Sequence, residues 1–264
     1  GFPSLLPEQV ELISGPGCPV CVTEIGYIDK ACAISRLPEV TVATFGDLLR
    51  VPGSESSLEE ERAAGADVRV VSSSLEALNL ARDLPDRRVV FLGIGFETTA
   101  PTSAAAILAA ADQRIDNFLV LSAHKLMKPA MIAIVSDGVE LDGYLCPGHV
   151  SVVTGAQIYR DIVKICSLGC VVAGFEPLDI LSALQRLVAQ CESSSPRVEI
   201  AYRRAVTWEG NRSARKVMER VFEPGDSVWR GLGMIARSGL AIREQYARHD
   251  AAGAFDMDLP EPKE

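Results

Sequence analysis

The sharpest chemical feature is Gly15-Pro16-Gly17-Cys18-Pro19-Val20-Cys21, a Cys-x-x-Cys pair in a Pro/Gly-fixed turn. Two thiols at this spacing can close a small disulfide or share a metal ion, and a helix starting just after them would favour the thiolate. Two buried cysteines acting as small hydrophobes is the plainer alternative. A structural zinc site needs four ligands, usually from a second such pair, and none is present, because Cys166 and Cys170 are four apart. Redox chemistry or an incomplete metal site is the better reading of Cys18 and Cys21. Cys32, Cys166, Cys170 and Cys191 sit in or beside apolar stretches and read as structural.

A second feature is Gly93-Ile94-Gly95-Phe96-Glu97-Thr98-Thr99, between a strongly apolar run and an Ala-rich stretch. Gly17, Gly95, Thr98 and Thr99 are candidate ligand-binding positions, since glycines and hydroxyls at a helix start can offer an anion N–H and O–H groups. Thr98 replaces the third glycine of a dinucleotide fingerprint, and a tight strand-to-helix connection explains the segment equally well. Glu97 is either a cap for neighbouring N–H groups or a functional acid. Two histidines, His124 beside Lys125 and His149 in Cys146-Pro147-Gly148-His149, complete the candidates, although a lone histidine is more often a hydrogen-bonded structural residue. No Gly-x-Ser-x-Gly nucleophile elbow occurs.

The elements that must position these groups are short apolar strands alternating with amphipathic helices. Strands are predicted at 10–14, 40–44, 68–71, 89–93, 118–122, 143–146 and 170–173, with continuous Val/Leu/Ile runs typical of strands buried on both faces. Helices are predicted at 23–35, 58–64, 75–82, 103–111, 130–137, 156–167 and 177–190, with Ser54, Ser74 and Thr102 as caps. The class is α/β with parallel sheets. Polar breaks at 82–88 and 192–197 divide the chain into 1–84, 85–192 and a C-terminal segment 193–264, with a basic helix at 214–221, an extended stretch at 229–240 and an unstructured acidic tail from Asp256.

A weak internal repeat relates Glu11–Pro19 to Asp142–Val150. Each reads as a strand, a Pro-Gly turn and then Cys18 or His149, and each is followed further on by a strand ending at Phe45 or Phe175. The expectation is two related βαβ domains facing a cleft, with Cys18 and His149 on strand-end loops and Glu97 nearby.

The chain has 264 residues, a net charge of −9 and seven cysteines. Acidity argues against a partner held through nucleic-acid phosphates, no apolar run is long enough to span a bilayer, and the first residues lack the features of a signal peptide. An odd cysteine number below that of a disulfide scaffold suits a reducing cytoplasm.

Leu12-Ile-Ser-Gly-Pro-Gly-Cys-Pro-Val-Cys-Val22, Thr44-Phe-Gly-Asp-Leu-Leu-Arg-Val-Pro-Gly-Ser54, Phe91-Leu-Gly-Ile-Gly-Phe-Glu-Thr-Thr-Ala-Pro-Thr102, Leu121-Ser-Ala-His-Lys-Leu126, Leu145-Cys-Pro-Gly-His-Val-Ser151 and Ala173-Gly-Phe-Glu-Pro-Leu-Asp-Ile-Leu181 resemble the HypD family of hydrogenase maturation factors. Trp229-Arg-Gly-Leu-Gly233 continues the likeness toward the C-terminus. The resemblance implies a scaffold for the Fe(CN)2CO group of [NiFe]-hydrogenases, with a small HypC-like partner and cyanide ligands received through HypE and HypF. It implies that Cys18 and Cys21 are redox-active and that His149 belongs to the same region, so that Cys18, Cys21 and His149 are the candidate metal ligands. The family also carries a leading Cys-Gly-Gly-His-type segment and a [4Fe–4S] cluster on a cysteine-rich tail. Neither segment is in this sequence, so a fragment without the cluster is expected. A stand-alone thiol–disulfide oxidoreductase is the alternative function.

Overall fold

The computed structural model describes residues 6–257 and 259–262; the outermost parts of the N-terminal and tail readings lie outside them. The chain divides into two compact units, Gly1–Cys18 with Met131–Arg212 and Pro19–Ala130 with Ser213–Glu264.

The larger unit begins with α1 (Ile25–Ser35), β1 (Val40–Thr44), α2 (Leu58–Ala63), β2 (Val68–Val70), α3 (Ser74–Asp83), β3 (Arg88–Gly95), α4 (Ala100–Gln113) and β4 (Phe118–His124). Its strands form a parallel sheet in the order β2-β1-β3-β4. Every residue of β3 after Arg88 is buried. Because successive side chains alternate across a strand, Val89 and Phe91 join one core with Leu78, Ala104 and Ile107. Val90, Leu92 and Ile94 join another with Ile28, Ala31 and Ile34. The apolar runs read as two-faced strands are thus explained residue by residue.

The three cap residues differ from the sequence reading. Ser57, not Ser54, caps α2, and its hydroxyl and the Glu60 carboxylate form a reciprocal capping box. Ser73, not Ser74, caps α3. Thr102 lies inside α4, where its hydroxyl donates to Thr99 O.

The break at 82–88 is not a domain boundary, since β1 and β3 pair across it. Its polar residues serve the sheet. The Arg87 guanidinium donates to Thr41 Oγ1 at 2.8 Å and to Val40 O at 2.5 Å, and Arg88 lies over the Phe255 ring.

α5 (Met127–Ser136) contains the division between the units. The smaller unit continues with β5 (Gly143–Pro147), α6 (Gly148–Thr154), α7 (Arg160–Cys166), β6 (Gly169–Ala173), α8 (Pro177–Glu192) and β7 (Val198–Ile200). Its parallel sheet has the order β5-β6-β7. The break at 192–197 is internal to this unit. Gln190 accepts from Arg197 N and donates to Glu199, which ties the turn to β7.

Val10–Ser14, expected as a strand, forms none, and residues 11–14 are exposed. Its apolar residues have no sheet face to fill, with Ile13 at 63% exposure. The Cys18 segment is therefore not the structural counterpart of β5 and its following helix, and the internal repeat fails at its first half.

The remaining chain completes the larger unit. α9 (Arg212–Val221) leads into an antiparallel hairpin of β8 (Phe222–Trp229) and β9 (Gly233–Ile242), then α10 (Ala251–Ala254). Phe222 and Leu240 enter the Phe91 core, whereas Ala251 and Phe255 enter the Leu92 core. Residues 193–264 are therefore not a separate segment, because their buried residues complete cores begun by the first half of the chain.

In the smaller unit, Gly155 and Gly210 have φ of +78° and +67°, and a Cβ on Gly155 would sit 2.4 Å from Trp208 O. We expect Gly155→Ala to cost about 2 kcal/mol or more, combining left-handed strain with backbone overlap. Urea unfolding of the full chain measures this; a loss below ~0.5 kcal/mol would contradict the close approach.

Candidate functional site

Cys18 and Cys21 are both solvent-exposed. The segment that follows Cys18 is a turn rather than free loop. Thr23 N donates to Val20 O at 3.3 Å, and the Thr23 hydroxyl donates to Pro19 O at 2.8 Å. Val22 and Thr23 are buried while Cys21 between turn and solvent is not. Gly17, also exposed, donates its N–H to Gly15 O.

The other cysteines have different surroundings. Burial pushes the Cys32 thiol up to about 12, with Glu61 adding to the effect. Cys146 is buried and its pKa is raised by desolvation and by Cys170. Desolvation also raises Cys166 and the exposed Cys191. A thiol held protonated is a poor nucleophile and a poor metal ligand, so chemistry is disfavoured at these positions.

The loop after β3 is a tight connection. Gly95 has φ +154°, and a Cβ there would overlap Thr99 Oγ1. The Thr99 hydroxyl donates to Phe96 O at 3.2 Å, so it faces back into its own turn. Thr98 is partly exposed.

Glu97, 3% exposed, accepts from Met127 N at 3.0 Å through Oε1 and so caps the start of α5. Its Oε2 has no hydrogen-bond partner among the described residues. Desolvation raises its pKa to about 7, against the N–H bonds that favour the carboxylate. Of the two roles read from sequence, the cap is directly visible.

His124 is fully enclosed. Its Nε2 lies 2.9 Å from Ser103 Oγ, its ring meets Phe222 edge-on, and burial lowers its pKa to about 4. It is a neutral hydrogen-bonded core histidine. His149, second residue of α6, is exposed beside Phe175, with ring centroids 5.4 Å apart. Partial desolvation lowers its pKa, which favours the neutral imidazole.

Sequence reasoning missed Lys125 and Trp229 as site-forming residues. Lys125 is 2% exposed, and Nζ donates to Ser227 Oγ at 2.8 Å and to Val228 O at 2.6 Å. It also lies 5.3 Å from the centroid of the Trp229 ring. Desolvation lowers its pKa to about 8, partly offset by Glu24. Both residues stood in recognisable motifs, but a single lysine after a strand carries no sequence signal of burial.

Among the described residues, no group of three or more His, Cys, Asp or Glu side chains is gathered to hold a metal ion. A [4Fe–4S] cluster takes four thiolates, so the described residues do not fit one. Among the described residues, no helix is long and apolar enough to cross a membrane.

The HypD family model, described as the hydrogenase formation hypA family, matches residues 1–264. The chain is 44% identical over 274 residues to the hydrogenase maturation factor HypD of Rhizobium leguminosarum bv. viciae, spanning 100% of this chain and 71% of that protein. It is 46% identical over 266 residues to the hydrogenase expression/formation protein HupD of Azotobacter chroococcum mcd 1, spanning 98% and 70%. The HypD of Escherichia coli (strain K12) is 45% identical over 257 residues, spanning 97% and 69%.

Glu97 gives this site a testable pH signature. An ordinary glutamate titrates near 4.5, whereas the folded chain holds this proton to about 7. Between those values the native state binds more protons than the unfolded state, so stability falls as pH rises through the window and then levels. Glu97→Gln keeps an oxygen for Met127 N and carries no charge. At pH 8 it is expected to be more stable than the parent by on the order of 3 kcal/mol. Parallel stability profiles of the two proteins from pH 4 to 8 would contradict a buried, proton-retaining carboxylate.

Proposed function

Because the chain belongs to the HypD family of hydrogenase maturation factors, we propose that it acts as a scaffold on which the Fe(CN)2CO group of a [NiFe]-hydrogenase is assembled. The observation that carries the proposal is that Cys18 and Cys21 are exposed, whereas Cys32, Cys146 and Cys170 are buried. A reactive thiol must be reachable, and both thiols meet that condition, with Cys21 directly before the buried Val22 and Thr23.

In this reading the iron species is the cargo. As thiolates, Cys18 and Cys21 offer it soft ligands, and the neutral imidazole of His149 offers a borderline one. Closing the two thiols to a disulfide releases two electrons and two protons; oxidised glutathione accepts them in vitro, and reduced glutathione returns them. A HypC-like protein as scaffold partner, and HypE with HypF as the source of cyanide ligands, follow from the family and are part of the proposal. Glu97 acts here as the cap that fixes the loop after β3 and the start of α5, and the tight turn at Gly95, Thr98 and Thr99 keeps that loop in register. Enclosed His124 supports the same strands from the core.

Complementation of a maturation-deficient strain tests the scaffold reading. Cys18→Ser, Cys21→Ser and His149→Ala are each expected to lower hydrogenase activity at least about tenfold while costing stability within ~0.5 kcal/mol, as substitutions at exposed positions usually do. Activity near the parent level in all three variants would reject the assignment. Catalytic turnover of a dithiol substrate by the purified chain alone, with normal maturation by the variants, would instead select the stand-alone oxidoreductase.

A further inference from the structure

The turn bearing Cys21 rests on the β8–β9 hairpin. Thr23 forms an antiparallel bridge with Trp229, and Arg230 N donates to Val22 O at 2.9 Å. Trp229 and the residue after it in the hairpin are thus joined to the two residues that follow Cys21. What fixes Trp229 therefore adds to the turn's own Thr23 bonds in fixing its position.

Trp229 is fully buried, and three contacts hold it. Its Nε1 donates to Ser238 Oγ at 2.8 Å on the facing strand. Its ring stacks on Phe96, with centroids 6.0 Å apart and planes 23° from parallel. The Lys125 ammonium also lies against its ring, and donates to Ser227 Oγ and to Val228 O, the carbonyl just before Trp229. Lys125 is itself fixed at the end of β4. Its N–H donates to Gly95 O at 2.9 Å, it bridges Gly239, and the next residue, Leu126, donates its N–H to Ser238 O at 2.7 Å.

We infer that Lys125 and Trp229 are positioning residues for Cys21, joining the carboxyl ends of β3 and β4 to the cysteine-bearing turn through the hairpin. Lys125 does not need to touch the thiol. Its ammonium is a buried charge that donates to one hydroxyl and one carbonyl and faces one indole, with the Glu24 carboxylate also favouring the charge; the hydroxyl, carbonyl and indole are in place only when the hairpin is seated. An ordinary apolar residue in the same slot would fill the space without demanding that carbonyl's position. The lowered pKa of Lys125 agrees with an ammonium that has given up much of its water. This inference deepens the scaffold reading and rests on Cys21 being the working thiol.

The test uses the full chain with Lys125→Met, which keeps length and apolar stem, and Lys125→Arg, which keeps charge and donors. Lys125→Met is expected to speed hydrogen exchange at the Thr23 and Arg230 amides about tenfold or more, with β1 and β3 amides unchanged. Peptide-resolved alkylation of Cys21 by iodoacetamide is expected to shift its rate-against-pH profile in the same variant, and Lys125→Arg is expected to restore most of both effects. Exchange at Thr23 and Arg230 matching the parent, with superimposable Cys21 profiles, would overturn the inference.

If Lys125→Met does not fold, Trp229→Phe carries the same measurements: faster exchange confined to the turn supports the anchor, and unchanged exchange there overturns it. The redox reading fails on a different observation, namely no disulfide between Cys18 and Cys21 in the parent at any glutathione ratio. The exchange data decide on the anchor in that case too.

Discussion

β3 has no exposed face. Seven buried residues follow Arg88 along it, and a strand covered on both sides requires two separate apolar layers. α3 and α4 contribute to one layer and α1 to the other. Neither is completed by the first half of the chain. Phe222 and Leu240 close one side and Ala251 and Phe255 close the other, so the chain must return after Arg212 to finish a core begun before Ala130. The hairpin that carries Trp229 is in place because of this requirement, and the Cys21 turn rests on that hairpin.

The same strand explains why charged groups are buried next to it. β3 and β4 run parallel with Gly95 opposite His124, and their carboxyl ends emerge under the returning hairpin. Glu97 and Lys125, the first ionisable residues beyond those ends apart from His124, are then enclosed with it. Each is retained through specific donors or acceptors: Met127 N for Glu97, Ser103 for His124, Ser227 and Val228 for Lys125. Burial shifts each pKa toward the neutral form, upward for the acid and downward for the bases. Such shifts mark functional sites and structural networks alike. For His124 the enclosing ring contact and the serine bond identify the structural case.

Much of this was legible in the sequence, and the reasons differ by element. Buried strands such as Val40–Thr44 announce themselves because continuous β-branched and aliphatic runs of that length have few other stable placements. Val10–Ser14 carries a similar local run but no partner strand, and pairing is a tertiary fact that local composition does not contain. The short β7 was missed because Val198-Glu199-Ile200 lies directly after the polar break at 192–197, and α6 because Pro147 and Gly148 read as a turn. The supposed boundary at 82–88 misled for a physical reason as well: Arg87 and Arg88 are polar in sequence yet serve the sheet, binding a strand carbonyl and covering an aromatic ring.

The site was legible by residue type and less so by support. The Pro/Gly turn marked Cys18 and Cys21 as candidates, and their exposure is what the fold adds. The expectation that His149 mirrors Cys18 rested on matching strands, and only the histidine has one. What sequence could not supply is the path from a buried ammonium, through an indole and two backbone bonds, to the residues following Cys21. Lys125 and Trp229 are separated by more than a hundred positions, so nothing local relates them. They meet because the β3 core draws the C-terminal hairpin back across the sheet, which makes the placement of the turn after Cys21 a consequence of burial at the centre of the larger unit.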